Sequence, residues 1–251
     1  MKSKIFISAI VLFLSFTTLM AQNEELAKAN SLYKKADYQG AAMLYEDIAT
    51  RYGISPELYY NIGNAYFKAG EVGRSILNYE RALRLAPNYD DAKTNLELAQ
   101  TKVVDNIVQV PPFFVKRWID SFIKLLSVDQ WYLVSVVVFV ITLLCFLYFI
   151  FGNNLIIRRI AFYGAFILLV VAIISGVFGL TRRSELNNHN QAIIMSGTVV
   201  IKSSPDKSGT DLFQLHEGTK VSIKSNLDEW TEIVVGNGNI GWLETKAIEK
   251  I

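Results

Sequence analysis

Residues 56–89 read PELYYNIGNAYFKAGEVGRSILNYERALRLAPNY, and this stretch decides the fold of the N-terminal part of the chain. When the sequence is shifted along itself so that Tyr79 lies on Tyr45, this stretch aligns with residues 22–55. This shift is the period of the repeat. In helical repeats of about this period, small residues recur where two helices approach closely, and aromatic residues recur where they fill the gap to the next pair. The period therefore predicts a stack of helical hairpins.

The stretch at 56–89 resembles a tetratricopeptide repeat. The copy at 22–55 matches less well at its start, as a solvent-facing terminal unit should, and a further first helix is predicted from Asp90 to about Lys102. We therefore expect an all-α tetratricopeptide repeat domain over residues 22–110. The residues at the signature positions of the family are Tyr59, Ile62, Gly63, Tyr66, Ser75, Tyr79, Ala82 and Pro87.

The resemblance implies a concave groove for a partner peptide, lined by the first helix of each hairpin. Lys34 and Lys68 each follow an asparagine by four positions and so share its helical face. Asparagine amides can hydrogen-bond an extended backbone, and the lysines add positive charge. The alternative is that these positions are only solvated. The predicted partner-binding residues are Asn30, Lys34, Asn61, Asn64, Lys68 and Asn95.

Residues 1–21 have the layout of a secretory signal, with Lys2 and Lys4 before an apolar run and the small residue Ala21 at its end. The apolar run is about 12 residues long, too short for a hydrocarbon core that needs roughly 20. We therefore predict a signal peptide at 1–21, with a retained anchor as the alternative. In either case the following segment is exported.

Two long uncharged stretches occupy residues 131–151 and 160–180. As helices rising ~1.5 Å per residue, each would reach roughly 31 Å, which is enough to cross a membrane. The short connection between them predicts an antiparallel transmembrane hairpin. Neither stretch contains Asp, Glu, Lys, Arg or His, so an ion path is not expected. With an exported N-terminus, two crossings place both flanking modules on the same outer side.

Residues 113–126 lie between a proline pair and the first span. On a helical wheel, Trp118 and Phe122 fall on an apolar half, whereas Lys116 and Arg117 fall on a polar half. This division predicts an amphipathic interfacial helix lying among lipid headgroups. The alternative is a soluble helix packed against protein.

Short β-type runs separated by turn residues follow from residue 191, and Gly236 to Gly238 are a hairpin signal. A Ser-Pro turn at Ser204, Gly218, Trp230 and the Gly-Trp pair ending at Trp242 resemble a bacterial SH3-like domain. This resemblance implies a small all-β SH3-like barrel over residues 190–251. The predicted strands are Ala192–Met195, Thr198–Lys202, Lys220–Lys224, Trp230–Val235 and Ile240–Leu243.

Composition limits the chemistry and the partners. With 25 basic and 23 acidic residues there is no large basic field, so nucleic acid is not an expected partner. The single cysteine, Cys145, lies in an apolar stretch, and His189 and His216 lack neighbours at ligand spacing, so we expect no metal and no cofactor. No nucleophile with a base and no phosphate loop is evident, so we expect no enzyme.

The order of signal peptide, repeats, two spans and β module resembles proteins of the Bat aerotolerance family of Bacteroidetes. The resemblance implies a non-catalytic multi-domain membrane protein of the bacterial inner membrane, with the repeat and SH3-like domains in the periplasm. It also implies that the chain is a scaffold in the lipid bilayer whose partners are membrane proteins carrying von Willebrand A domains. The alternative is an anchor that binds peptidoglycan through the SH3-like domain.

Overall fold

The computed structural model describes residues 22–105, 107, 113–188 and 190–251, so the predicted signal peptide at 1–21 lies outside the described residues. The chain divides into two compact units. The first unit combines the segment up to Val110 with the segment from His189 onward, and the second runs from Pro111 to Asn188. The second unit is therefore an insertion in the sequence of the first.

Helices α1 to α5 form the N-terminal part of the first unit, and successive helices pack as antiparallel hairpins. Buried residues of the first hairpin and the start of the next form one cluster that includes Ala29, Tyr45 and Tyr66. The helices are α1 (residues 22–34), α2 (Tyr38–Tyr52), α3 (Pro56–Ala69), α4 (Val72–Leu85) and α5 (Asp90–Gln100).

Local sequence fixes the ends and the close approach of the α3–α4 hairpin. The Ser55 side chain accepts a hydrogen bond from the Leu58 backbone N–H at 3.1 Å, and Gly70 ends α3 with φ of 86°. At Gly63 an added Cβ would lie 2.6 Å from the Tyr79 ring. The signature glycine is therefore required by the ring that packs on it.

The C-terminal part of the first unit is a seven-stranded antiparallel sheet in the order β3-β2-β6-β5-β4-β1-β7. A tight turn between β5 and β6 places Gly238 at φ of 92°, as the hairpin signal predicts. The strands are β1 (Gln191–Ile194), β2 (Thr198–Lys202), β3 (Asp211–His216), β4 (Lys220–Leu227), β5 (Trp230–Val235), β6 (Ile240–Glu244) and β7 (Ile248–Lys250).

The sheet is not closed, so the predicted small all-β SH3-like barrel was wrong in this respect. β3 and β7 are the two edge strands, and they do not pair with each other. The ladder is weakest between β2 and β6, which share only the pair Lys202 and Trp242, and a register shift between Ile201 and Lys202 interrupts β2 at this point. Strands β3 and β7 were also absent from the prediction.

The repeats and the sheet share one hydrophobic cluster. Ile76, Leu77 and Leu96 of the helices pack with Ile193 and Ile251 of the C-terminal segment. The two parts are therefore halves of a single folded body, whereas the sequence suggested two separate modules.

Polar contacts reinforce this junction. Lys220 Nζ lies 2.7 Å from Glu80 Oε2, and the Gly73 backbone N–H donates to Glu217 Oε1 at 3.0 Å. These contacts join α4 to the start of β4 and to the turn that precedes it.

The described part of the second unit contains the helices α6 (Phe114–Ile123), α7 (Val128–Phe151) and α8 (Leu155–Asn187). By length and composition, α7 and α8 could each cross a membrane. They pack closely as a hairpin in which the Ser135 hydroxyl donates to the Ala172 carbonyl at 2.9 Å. Small residues of α8, among them Gly179 beside Tyr132, permit this approach.

Candidate partner-binding surface

The first helix of each hairpin is tied to the second helix by the same hydrogen bond. The Tyr45 hydroxyl donates to Asn30 Oδ1 at 2.5 Å, and the Tyr79 hydroxyl donates to Asn64 Oδ1 at 2.8 Å. Both members of the second pair occupy the positions in their repeat that Asn30 and Tyr45 occupy in the first. Two of the predicted partner-binding residues therefore also hold the hairpins together.

Asn95 connects a third helix to this network. Its Nδ2 donates to Asn64 Oδ1 at 2.8 Å and to the Tyr60 hydroxyl at 3.2 Å. The Tyr60 ring lies 5.1 Å from the Tyr89 ring and 6.1 Å from the Tyr79 ring, between centroids. The structure thus brings Asn64 and Asn95 together in a tyrosine-rich cluster shared by α3, α4 and α5.

The tyrosines of this surface are held in their protonated form. Burial raises the pKa of the Tyr79 and Tyr45 hydroxyls, and neighbouring tyrosines raise it further. Burial likewise raises the pKa of Tyr33, with Tyr38 and Tyr60 as the neighbours. Because these hydroxyls stay protonated at neutral pH, they remain hydrogen-bond donors.

The amides of Asn30, Asn61 and Asn64 keep their donor groups available. The oxygens of Asn30 and Asn64 accept from tyrosine, and within the described residues the NH₂ groups of these two side chains form no hydrogen bond. Asn61 lies on α3 outside the tyrosine cluster and is partly buried, and its side chain has no hydrogen bond in the same part of the chain. The surface therefore offers donors more than acceptors.

Lysines add charge to one end of the surface. Lys34 and Lys68 are exposed, and neither side chain makes a hydrogen bond or ion pair to any residue that the structure describes. Lys102 continues the spacing of these two lysines by one more repeat, just after α5, and is also exposed. The opposite ends of α3 and α5 carry Glu57 and Asp91, so the surface is basic where these helices end and acidic where they begin.

Sequence reasoning missed Lys102, Tyr60 and Tyr89. The repeat period would have found Lys102, because it continues the spacing of Lys34 and Lys68. No such signal exists for the two tyrosines, since the residues one period earlier are leucine and serine. Their place in the surface follows only from the packing of α5 on α3.

Comparison with known families identifies one segment. Residues 56–89 match the family model of the tetratricopeptide repeat. This segment is a tetratricopeptide repeat. The repeat predicted at these positions is therefore confirmed, and such repeats are typically non-catalytic modules for protein interaction. A search of the curated proteins gave no match.

The polar groups of the repeat surface are suited to binding. They are amides, phenols and ammonium groups, with the carboxylates of Glu57 and Asp91 at the opposite end. In the ranges that the structure describes, no group of three or more His, Cys, Asp or Glu side chains could hold a metal ion. The arrangement suits recognition of a ligand rich in hydrogen-bond acceptors.

Proposed function

We propose that the chain is a non-catalytic, membrane-anchored scaffold that binds protein partners on the repeat surface. The observation that carries the proposal is the tetratricopeptide repeat at residues 56–89, with its donor-rich asparagines and exposed lysines beside it. Amide NH₂ groups bind backbone carbonyls, and lysines bind carboxylates. The ligand that fits this surface is an extended segment carrying acidic side chains.

The membrane anchor in this proposal is the hairpin of α7 and α8. An exported N-terminus and two crossings would put the repeats and the sheet in the periplasm of a bacterium with the hairpin in its inner membrane. A shared core for the repeats and the sheet agrees with this arrangement, because one folded body cannot lie on both sides of a membrane.

The resemblance in architecture supports a narrower proposal. The order of repeats, hairpin and β module is similar to that of BatE, of the Bat aerotolerance operon, which makes membrane proteins with von Willebrand A domains the partners to test. The motifs similar to bacterial SH3-like domains remain the reason to relate the open sheet to that family.

Peptidoglycan binding through the sheet is the alternative function. The repeats cover the edge of the sheet formed by β7 and β1, since Ile193 and Ile251 pack on α4 and α5. The other edge strand, β3, keeps Leu212 exposed. Saturable binding of the full chain to purified sacculi, lost on Leu212→Ser, would favour this alternative.

The scaffold proposal is tested by titrating the full chain in detergent with a membrane protein that carries a von Willebrand A domain. We expect Lys34→Ala with Lys68→Ala to weaken binding roughly tenfold, which corresponds to about 1.4 kcal/mol. The matched control is Lys35→Ala with Lys93→Ala, which removes two exposed lysines at other positions. Equal affinity of both double variants would contradict a role of the repeat surface.

A further inference from the structure

Helix α6 exposes an apolar face that the described helices of its own unit leave uncovered. Trp118 is 70% exposed, Phe122 is 61% exposed and Leu125 just beyond the helix is 63% exposed. Phe114, Val115 and Ile119 are exposed as well. A contiguous apolar surface of this kind is unfavourable in water and marks a contact with protein or lipid.

One end of α6 is fixed to the apolar hairpin. The indole N–H of Trp131, near the start of α7, donates to the Ile123 carbonyl at 2.9 Å, and the Trp131 side chain is almost fully buried. The Trp131 ring also packs edge-on against Phe178 of α8 at 5.1 Å. Helix α6 therefore ends beside the start of α7, which is the level of the headgroups if the hairpin crosses a membrane.

The polar face of α6 is cationic. Lys116, Arg117 and Lys124 are exposed, and Asp120 is the only acidic residue between 114 and 127, so three positive charges oppose one negative charge. None of the three cationic side chains has a hydrogen bond or ion pair within the described ranges. A row of free cations beside a broad apolar face is the pattern of helices that lie in the interface of an anionic membrane.

We propose that α6 lies in the headgroup layer of an anionic phospholipid membrane, with its aromatic face among the acyl chains and its cations on lipid phosphates. This proposal rests on the membrane crossing of α7 and α8. The charge pattern favours lipid over a protein partner, because three cations and a single carboxylate on the polar face complement the phosphate groups of an anionic membrane.

Spin labels on single cysteines test the depth of α6 in the full chain. In a Cys145→Ala background, Ile119→Cys reports the apolar face and Ser121→Cys, on the same helix, is the matched control for the polar face. A third label at Val140→Cys reports α7. In phosphatidylcholine vesicles with phosphatidylglycerol, we expect collisions with oxygen to dominate at 119 and 140, and collisions with a water-soluble nickel complex to dominate at 121.

Each of the other collision patterns leads to a different conclusion about α6 or about the hairpin. Nickel collisions at both 119 and 121, with oxygen at 140, would overturn the proposal for α6 and leave the hairpin in the membrane. A label at 119 shielded from both reagents would overturn it in favour of a protein partner. Nickel collisions at 140 would reject the membrane crossing itself. Brominated lipid provides a check without labels, since Trp118→Phe should remove part of the tryptophan quenching.

The charge requirement is tested by changing the lipid and the cations separately. Each cation near an anionic surface contributes about fivefold to binding. The double substitution Lys116→Gln with Lys124→Gln should therefore lower the ratio of lipid-buried to water-exposed spin label at position 119 by more than tenfold. Lys35→Gln with Lys93→Gln is the control and should leave the ratio unchanged. Equal burial in pure phosphatidylcholine, or no effect of the α6 substitutions, would overturn the preference for anionic lipid.

Discussion

Asn64 joins three helices through one side chain, because its oxygen accepts from Tyr79 on α4 and from Asn95 on α5. Replacing it with alanine would leave the buried Tyr79 hydroxyl and the Asn95 amide without this acceptor. An unsatisfied buried donor costs about 1–3 kcal/mol. We therefore predict that Asn64→Ala lowers the free energy of unfolding by about 1–3 kcal/mol, measured by denaturant titration.

Lys68→Ala is the matched control for this prediction. The side chain is exposed on the same helix, so its removal should change the free energy of unfolding by no more than about 0.5 kcal/mol. Equal stability of the two variants would show that the asparagine network contributes nothing. It would then leave Asn64 free to act only in partner binding.

Asp105 fastens the segment that follows α5 to the sheet. Its carboxylate accepts hydrogen bonds from the His216 backbone N–H and from Thr219 Oγ1, both at 2.6 Å. It also pairs with His216 Nδ1 at 2.7 Å. Burial alone would raise the pKa of Asp105, but the hydrogen bonds from Thr219 and His216 outweigh it, and the pKa lies below its ordinary value. The folded protein therefore stabilises the ionised carboxylate.

This lowered pKa sets the sign of a pH effect. The contribution of Asp105 to stability is complete above the ordinary aspartate pKa of about 3.9 and is lost as the pH falls through the lower folded-state pKa. We predict that Asp105→Asn costs about 1–3 kcal/mol at neutral pH and that this difference shrinks on acidification. Asp228→Asn, at an exposed turn, is the control; a constant difference down to pH ~3 would contradict the assignment.

At the residue scale, periodicity found Asn30 and Asn64 but not what they contact. Spacing shows which residues are equivalent in two repeats, and so it placed each asparagine on a first helix. The hydrogen bonds to Tyr45 and Tyr79 depend on how the second helix packs, which the spacing alone does not encode. The sequence therefore predicted the position of the polar surface better than its chemistry.

Among the elements, the turn between β3 and β4 makes a close contact of the sheet with the repeats. An added Cβ on Gly218 would lie 2.8 Å from Val103 Cγ2 and 3.1 Å from Ile76 Cδ1. Gly218 also has φ of 86°, a conformation that costs other residues about 1–2 kcal/mol. Both effects should act on Gly218→Ala.

Gly238 separates the two effects because its φ of 92° is similar but nothing lies within 4 Å of an added Cβ. We predict that Gly238→Ala costs about 1–2 kcal/mol from backbone strain and that Gly218→Ala costs about 1–3 kcal/mol more from overpacking. Unfolding curves of the two variants provide the measurement. Equal costs would mean that the turn does not press on α4.

At the same scale, helices were easier to predict than strands. The ends of α3 follow from Ser55 and Gly70, which act through their immediate neighbours. Strand β3 depends instead on pairing with β2, and β7 is very short. Closure of the sheet depends on contacts between distant strands, and the short ladder between β2 and β6 could not be predicted from local pattern.

For the whole molecule, the main consequence of the structure is that the repeats and the sheet cannot be separated. Deleting the segment from Gln191 would expose Ile76 and Leu77, which it covers in the folded unit. The sequence suggested two modules because their compositions differ, and a shared core between segments so far apart has no local signal. A loss of partner binding after such a deletion would therefore report unfolding as well as a lost contact.

The central claim is that one folded body, formed by the segments before and after the hairpin, is held on the outer side of a membrane. Cysteine labelling on intact spheroplasts tests it most directly, with single cysteines at Asn23, Lys250 and Asn153 in a Cys145→Ser background. We predict that an impermeant maleimide labels Asn23→Cys and Lys250→Cys but reaches Asn153→Cys only after lysis. Labelling of only one flanking position, or of Asn153→Cys in intact cells, would contradict the claim.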